Sequence, residues 1–171
     1  MAGAVAMLAA LSGVTACTPA PRFVAALNYA GGKPTALLVN CPDFTIDSIY
    51  VSEITTDSTR VTWIASGPGR ARPSHAGPSR AGSGRAGPAQ ITLLQAPAGW
   101  TVEDQTLTSF DVARKYEAQP FSSTDDSGNV VSFTIDQLKA LKPGEVLVNN
   151  ARNEPLTISE TKFRTAAEAD C

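Results

Sequence analysis

The 171-residue chain has one histidine, His75, and three cysteines, Cys17, Cys41 and Cys171. That scarcity excludes a multi-histidine zinc site and a Cys₂His₂ finger, whose ligand sets need more of both. It also leaves a single imidazole for any serine–histidine pair. No C-x-x-C spacing occurs, so dithiol redox exchange and zinc chelation have no footing. No G-x-S-x-G elbow is present either, nor a Walker phosphate loop. With a net charge of −2 and 18% charged residues, the overall charge offers nothing to a nucleic acid. Long apolar runs are missing too: none approaches the roughly 20 residues that cross a bilayer as a helix. What remains, at 43% hydrophobic, has the composition of one ordinary globular domain.

The first informative segment is Ala4–Leu11, an uncharged apolar run of the length of a secretory h-region. It leads into Val14-Thr15-Ala16-Cys17 and then a polar Thr18-Pro19-Ala20-Pro21 spacer. This stretch resembles a bacterial lipobox. The resemblance implies that residues 1–16 are a signal peptide and that the Cys17 thiol carries a diacylglyceryl group. Residues 17–22 are then a tether, and the protein is anchored to the outer face of the cell membrane. Two acyl chains suffice for stable anchoring where one is marginal. Val14 replaces the commoner leucine, and no Lys or Arg precedes the apolar run. The expectation is a translation start upstream of Met1, which an upstream frame encoding basic residues supports and an adjacent stop codon sinks. The competing reading is an Ala-rich helix with a buried Cys17 inside the cell. Against it, an apolar segment with no charged face is an aggregation liability on a soluble surface.

Export to an oxidising compartment makes thiols pair. With Cys17 taken by lipid, Cys41 and Cys171 allow one connectivity, a disulfide that ties down the C-terminus. Two buried free thiols are the alternative.

Residues 66–89 contain only Ser, Gly, Pro, Arg and Ala besides His75. Such a segment has nothing to bury and cannot offset the entropy of ordering, so it is read as a disordered insert. Arg70, Arg72, Arg80 and Arg85 give it +4, leaving −6 on the remainder. It is either a flexible arm for a polyanion near the anchor or a tolerated expansion. A loop of this length adds little closure entropy, so residues 23–171 are expected to form one domain interrupted by it.

The rest reads as seven to nine short strands between turns, with candidates at Thr35–Val39, Phe44–Ile54, Val61–Ile64, Ile91–Leu94, Trp100–Val102, Tyr116–Phe121, Val130–Phe133 and Val146–Val148. Pro120 suggests that its strand lies at a sheet edge. Thr134-x-x-Gln137 has the form of a capping box opening a short helix that stops at Pro143-Gly144. Ser159 is placed to cap a second helix, with Phe163, Ala167 and Cys171 along one face. The fold class is mainly β, a β-sandwich that is immunoglobulin-like in architecture only, with one or two short helices.

Catalytic candidates are few. His75 falls in the insert, where no base can be held in reach of a target. Glu103-Asp104 follow Trp100, a pattern that marks a sugar platform or simply a core tryptophan after a turn. Asp125-Asp126 sit in a turn for backbone reasons. Trp63 reads as core. No cofactor, metal or catalytic set is assigned, and Trp100 is the one candidate ligand contact. The whole resembles a small secreted lipoprotein of the actinobacterial type. The resemblance covers no more than the signal and the general type, and with no catalytic motif found the leading expectation is a non-catalytic module of the cell envelope that binds a protein or polymer there, and not nucleic acid. The alternative is a carboxylate-dependent, glycan-directed envelope hydrolase using Glu103, Asp104, Asp125 or Asp126. A purely structural envelope protein is the third reading.

Overall fold

A computed structural model describes residues 22–55, 61–68, 89–122, 127–150 and 152–171. Cys17, His75, Asp125, Asp126 and the four insert arginines lie outside these. In chain order the described elements are β1 (Ala25–Ala30), β2 (Lys33–Leu38), β3 (Ile46–Glu53), β4 (Thr62–Ser66), β5 (Gln90–Thr92), β6 (Thr101–Gln105), β7 (Tyr116–Ser122), β8 (Val131–Phe133), α1 (Ile135–Lys139), β9 (Glu145–Asn149), β10 (Pro155–Ser159) and α2 (Glu160–Ala169). They form two antiparallel five-stranded sheets, ordered β10-β9-β1-β2-β5 and β6-β4-β3-β7-β8. The fold is the expected mainly β sandwich.

Burial along the strands distinguishes the two sheets. In β2 and β9 successive residues are buried, from Pro34 to Leu38 and from Val146 to Asn149. Such runs require cover on both faces. Leu27 and Leu38 face the sandwich core with Ile49, Val51, Trp63, Ala118 and Phe133 of the second sheet. Ala26, Leu37, Val146 and Val148 face the other way and pack on Phe163 and Ala167 of α2. The second sheet has one apolar face. Along β7, Tyr116, Ala118 and Pro120 are buried while Glu117, Gln119 and Phe121 are only half so.

Both helices start where the sequence places them. Thr134 accepts from the Gln137 backbone while the Gln137 side chain takes the Thr134 N–H, a complete capping box. Ser159 accepts from the Lys162 N–H, and Phe163 and Ala167 form the buried stripe of α2. Cys171 lies just past the Asp170 cap.

Four expectations change. The strands number ten among the described residues and not seven to nine. β7 is not an edge strand but lies between β3 and β8. Pro120 is tolerated because its carbonyl accepts from Gly128, so the side lacking an N–H faces that segment and not β3. β8 pairs only with Tyr116–Ala118, short of the proline. The segment read as a strand through Leu94 ends at Thr92, because Leu94 turns with a φ of +63°. Ser66, read as the first residue of the insert, belongs to β4 opposite Ser48 and Thr101.

The strands before residues 69–88 and those after them enter both sheets. That segment links β4 of one sheet to β5 of the other, so it does not separate two independent halves.

Candidate functional site

Chemistry-bearing side chains gather in at least three regions of the described residues. The first is the end of the sandwich where the described chain begins. Cys41 and Phe44 exchange backbone hydrogen bonds across an exposed Pro42-Asp43 turn, and Cys41 is 4% exposed. Its sulfur is joined to that of Cys171, with the Cα atoms 5.1 Å apart. The Arg22 guanidinium donates to both oxygens of Asp43 at 2.8 and 2.7 Å and lies 5.5 Å from the Phe44 ring centroid. That bond holds the Asp43 carboxyl below the usual aspartate value. Asp170, capping α2, accepts from the Phe23 N–H at 2.6 Å. The Asn129 side chain accepts from the Val24 and Ala25 N–H groups and donates to the Ala25 carbonyl. Chain entry, C-terminus and disulfide are thereby locked together.

The second region carries the acids and the tryptophan. Trp100 is half-buried and packs on the core. Its indole abuts Gly67: a Cβ there would stand 3.1 Å from Cε2 and Nε1. Trp63 is fully buried. Asp104 accepts from the Thr62 hydroxyl and from the Thr106 N–H, and the Thr62 bond holds its carboxyl below the usual value. This carboxylate fixes the β4–β6 edge, where the pairing shifts between Ile64 and Ala65. Glu103 beside it is exposed. Glu103 and Asp104 lie in β6 and Trp100 just before it, so the three are brought together only as near neighbours in sequence. Among the described residues no three of His, Cys, Asp and Glu are grouped to hold a metal ion. No helix of the described residues is long and apolar enough to cross a membrane.

The third region was not singled out by the sequence. The registered β1–β9 pairing consists of Leu27 opposite Leu147, although β1 stays paired with β2 as far as Ala30. Beyond that pair a cavity of about 280 Å³ opens, walled by Asn28 and Tyr29 of β1 and by the turn between α1 and β9. Asn28 Oδ1 is buried without a hydrogen-bond partner. In the opposite wall, Glu145 Oε2 accepts from the Lys142 N–H at 2.9 Å, and Gly144 closes the turn at a φ of +81°. Gly144 is held in turn by the Glu160 N–H, donated to its carbonyl at 2.8 Å. The signals were an asparagine inside the Ala-rich Ala25–Ala30 segment and the Lys142-Pro-Gly-Glu145 turn, neither of which forms a motif.

β1 runs from the Arg22 end to the cavity, so the two lie at opposite ends of that strand, about 20 Å apart for six extended residues. Comparison of this chain with protein-family models, curated proteins and solved structures finds no match.

Proposed function

We propose that the protein is a membrane-anchored exported lipoprotein, attached through lipid on Cys17, that serves as a non-catalytic binding or scaffold module of the cell envelope. The observation that carries the reading is the Cys41–Cys171 disulfide. Structural disulfides belong to oxidising compartments, and export by a lipobox signal delivers the chain to one. Val14-Thr15-Ala16-Cys17 lies just upstream of the locked end, four residues standing between Cys17 and Arg22. The five steps from Cys17 to Arg22 span at most about 18 Å, so on this reading the disulfide end faces the membrane and the opposite end of β1 faces away. The partner is a protein or polymer of the envelope, met by the loops and walls at that far end. The Asp104 carboxylate, engaged by Thr62 and Thr106, favours the module over a hydrolase built on the Glu103–Asp104 pair.

The test is fractionation of the full chain expressed in a lipidating host. The wild type is expected in the detergent phase and Cys17→Ser in the aqueous phase. Equal partition of the two contradicts the anchor.

A further inference from the structure

We propose that two copies of the chain pair edge to edge through β10, joining their first sheets into one ten-stranded antiparallel sheet. The inference goes beyond the binding-module reading and does not rest on it. β10 is the end strand of its sheet, and its pairing with β9 is regular from Pro155 to Ser159. The Asn150 N–H donates to the Glu154 carbonyl and the Glu160 N–H to the Gly144 carbonyl, both in that register. Bonded positions alternate along an antiparallel ladder, so Leu156 and Ile158 bond to β9 while Pro155, Thr157 and Ser159 turn their backbone groups outward. Among the described residues nothing pairs with that outward row. The other sheet edges are guarded, by charge, irregularity, shortness or cover. β6 carries Glu103 and Asp104 and a shift in its pairing with β4. β5 is three residues long, and β8, equally short, has its Ser132 N–H taken by the Asn149 side chain. β10 carries no charge, and its Leu156 is 46% exposed.

The outward row is complementary to a second copy of itself. Pro155 offers a carbonyl but has no N–H. Ser159 offers an N–H, but as the cap of α2 its carbonyl already serves the first turn of the helix. Thr157 offers both groups. An antiparallel partner with Thr157 opposite Thr157 makes two bonds between the threonines and two from Ser159 N–H to Pro155 carbonyl. The missing donor of each copy then stands opposite the engaged acceptor of the other, and no outward N–H is left over. A slip of two residues in either direction keeps only two of those four bonds. The same register sets Leu156 opposite Ile158 at the close, non-hydrogen-bonded positions. Ile158 packs on the cluster of Val146, Val148 and Phe163, so each exposed Leu156 extends the apolar face of the other copy. Past the strand, Glu154 of one copy comes beside the first turn of α2 in the other. There Lys162 is an exposed cation, while Glu160 is already bridged to Arg164. β10 runs parallel to β1, so the two disulfide ends of the pair point in opposite directions. Both tethers then reach one membrane only when the joined sheet lies along it, unlike a single copy standing on its disulfide end.

The experiment is sedimentation velocity of the full-length oxidised chain carrying Cys17→Ser, so that no lipid drives association, from micromolar to millimolar concentration. One edge strand from each copy is a small interface, so a weak dimer that forms as concentration rises is expected. No larger species is expected, because a two-fold contact closes on itself. Leu156→Lys puts a charge into the contact and is expected to weaken dimerisation at least tenfold with the monomer intact, since that side chain is exposed. Thr157→Pro removes the central outward donor, which β9 does not use, and is expected to weaken it equally. Thr157→Val keeps the backbone groups and is expected to retain the dimer. Should Thr157→Pro fail to fold, Leu156→Lys carries the same expected loss. The register is read by cross-linking: Thr157→Cys is expected to join two copies under mild oxidation faster than Lys33→Cys, an exposed position on β2. A monomer at every concentration overturns the proposal, as does association indifferent to Leu156→Lys or cross-linking no faster at position 157 than at position 33.

Discussion

Cys41 and Cys171 are 130 residues apart in sequence and bonded in space, so one covalent link closes nearly the whole folded chain. Cys41 is buried in the turn after β2, whereas Cys171 is exposed beyond the end of α2. The bond therefore holds a terminal segment that would otherwise fray. Replacing both cysteines by serine is expected to lower stability by up to about 4–5 kcal/mol, the chain-entropy value for so long a loop. Chemical denaturation of the oxidised and double-serine chains measures it. Equal midpoints contradict the stabilising role.

Removing Phe163 tests the two-faced burial of the first sheet. Its ring is fully buried against Ala26, Leu37, Val146 and Val148 and meets Phe23 edge-on at 5.7 Å. Phe163→Ala is expected to cost about 3–5 kcal/mol in urea unfolding, the range for truncating a buried aromatic. A loss under 1 kcal/mol means that α2 is not an integral layer.

Gly128 stands where the β7–β8 connection meets the start of the domain. A Cβ added there would lie 2.6 Å from Pro120 Cγ and 2.8 Å from Val24 Cγ2. Overpacking of this kind is worth about 1–3 kcal/mol, so Gly128→Ala is expected to lower the melting temperature measurably. Unchanged melting contradicts the close approach of Val24 and Pro120.

Acid dependence follows from Asp43. The Arg22 hydrogen bond lowers its carboxyl from the ordinary value of 3.8. A folded-state pKa below the unfolded one contributes stability that is present above the unfolded value. It is lost as pH falls through the folded value. The window therefore lies below about pH 4. Arg22→Ala is expected to return the Asp43 carboxyl toward 3.8, read by a carboxyl-resonance titration. An unchanged titration contradicts the pairing.

Much of this architecture was legible in the residues, and the failures have physical causes. Short apolar runs bounded by turn residues, such as Ala36-Leu37-Leu38 before Asn40-Cys41-Pro42 and Val146-Leu147-Val148 after Pro143-Gly144, read as buried strands, and the Thr134 and Ser159 caps state their helices locally. β1 escaped notice because Ala25-Ala26 and Ala30 carry helical propensity, which the pairing with β2 overrides. β10 escaped because Pro155 opens it and Leu156 is exposed, so it shows no clear alternation. The place of Pro120 in the sheet depends on which side its missing N–H faces, and only the Gly128 contact decides that. The disulfide was legible from the expectation of export, by elimination. The cavity was not, because it arises where two strands distant in sequence stop pairing.

The central claim, a lipid-anchored exported domain closed by one disulfide, is tested most directly by the intact mass of the membrane-associated protein before and after thiol reduction. The account expects a chain beginning at Cys17, heavier by its acyl groups, that gains two hydrogens on reduction. An unprocessed, unmodified chain with three free thiols contradicts it.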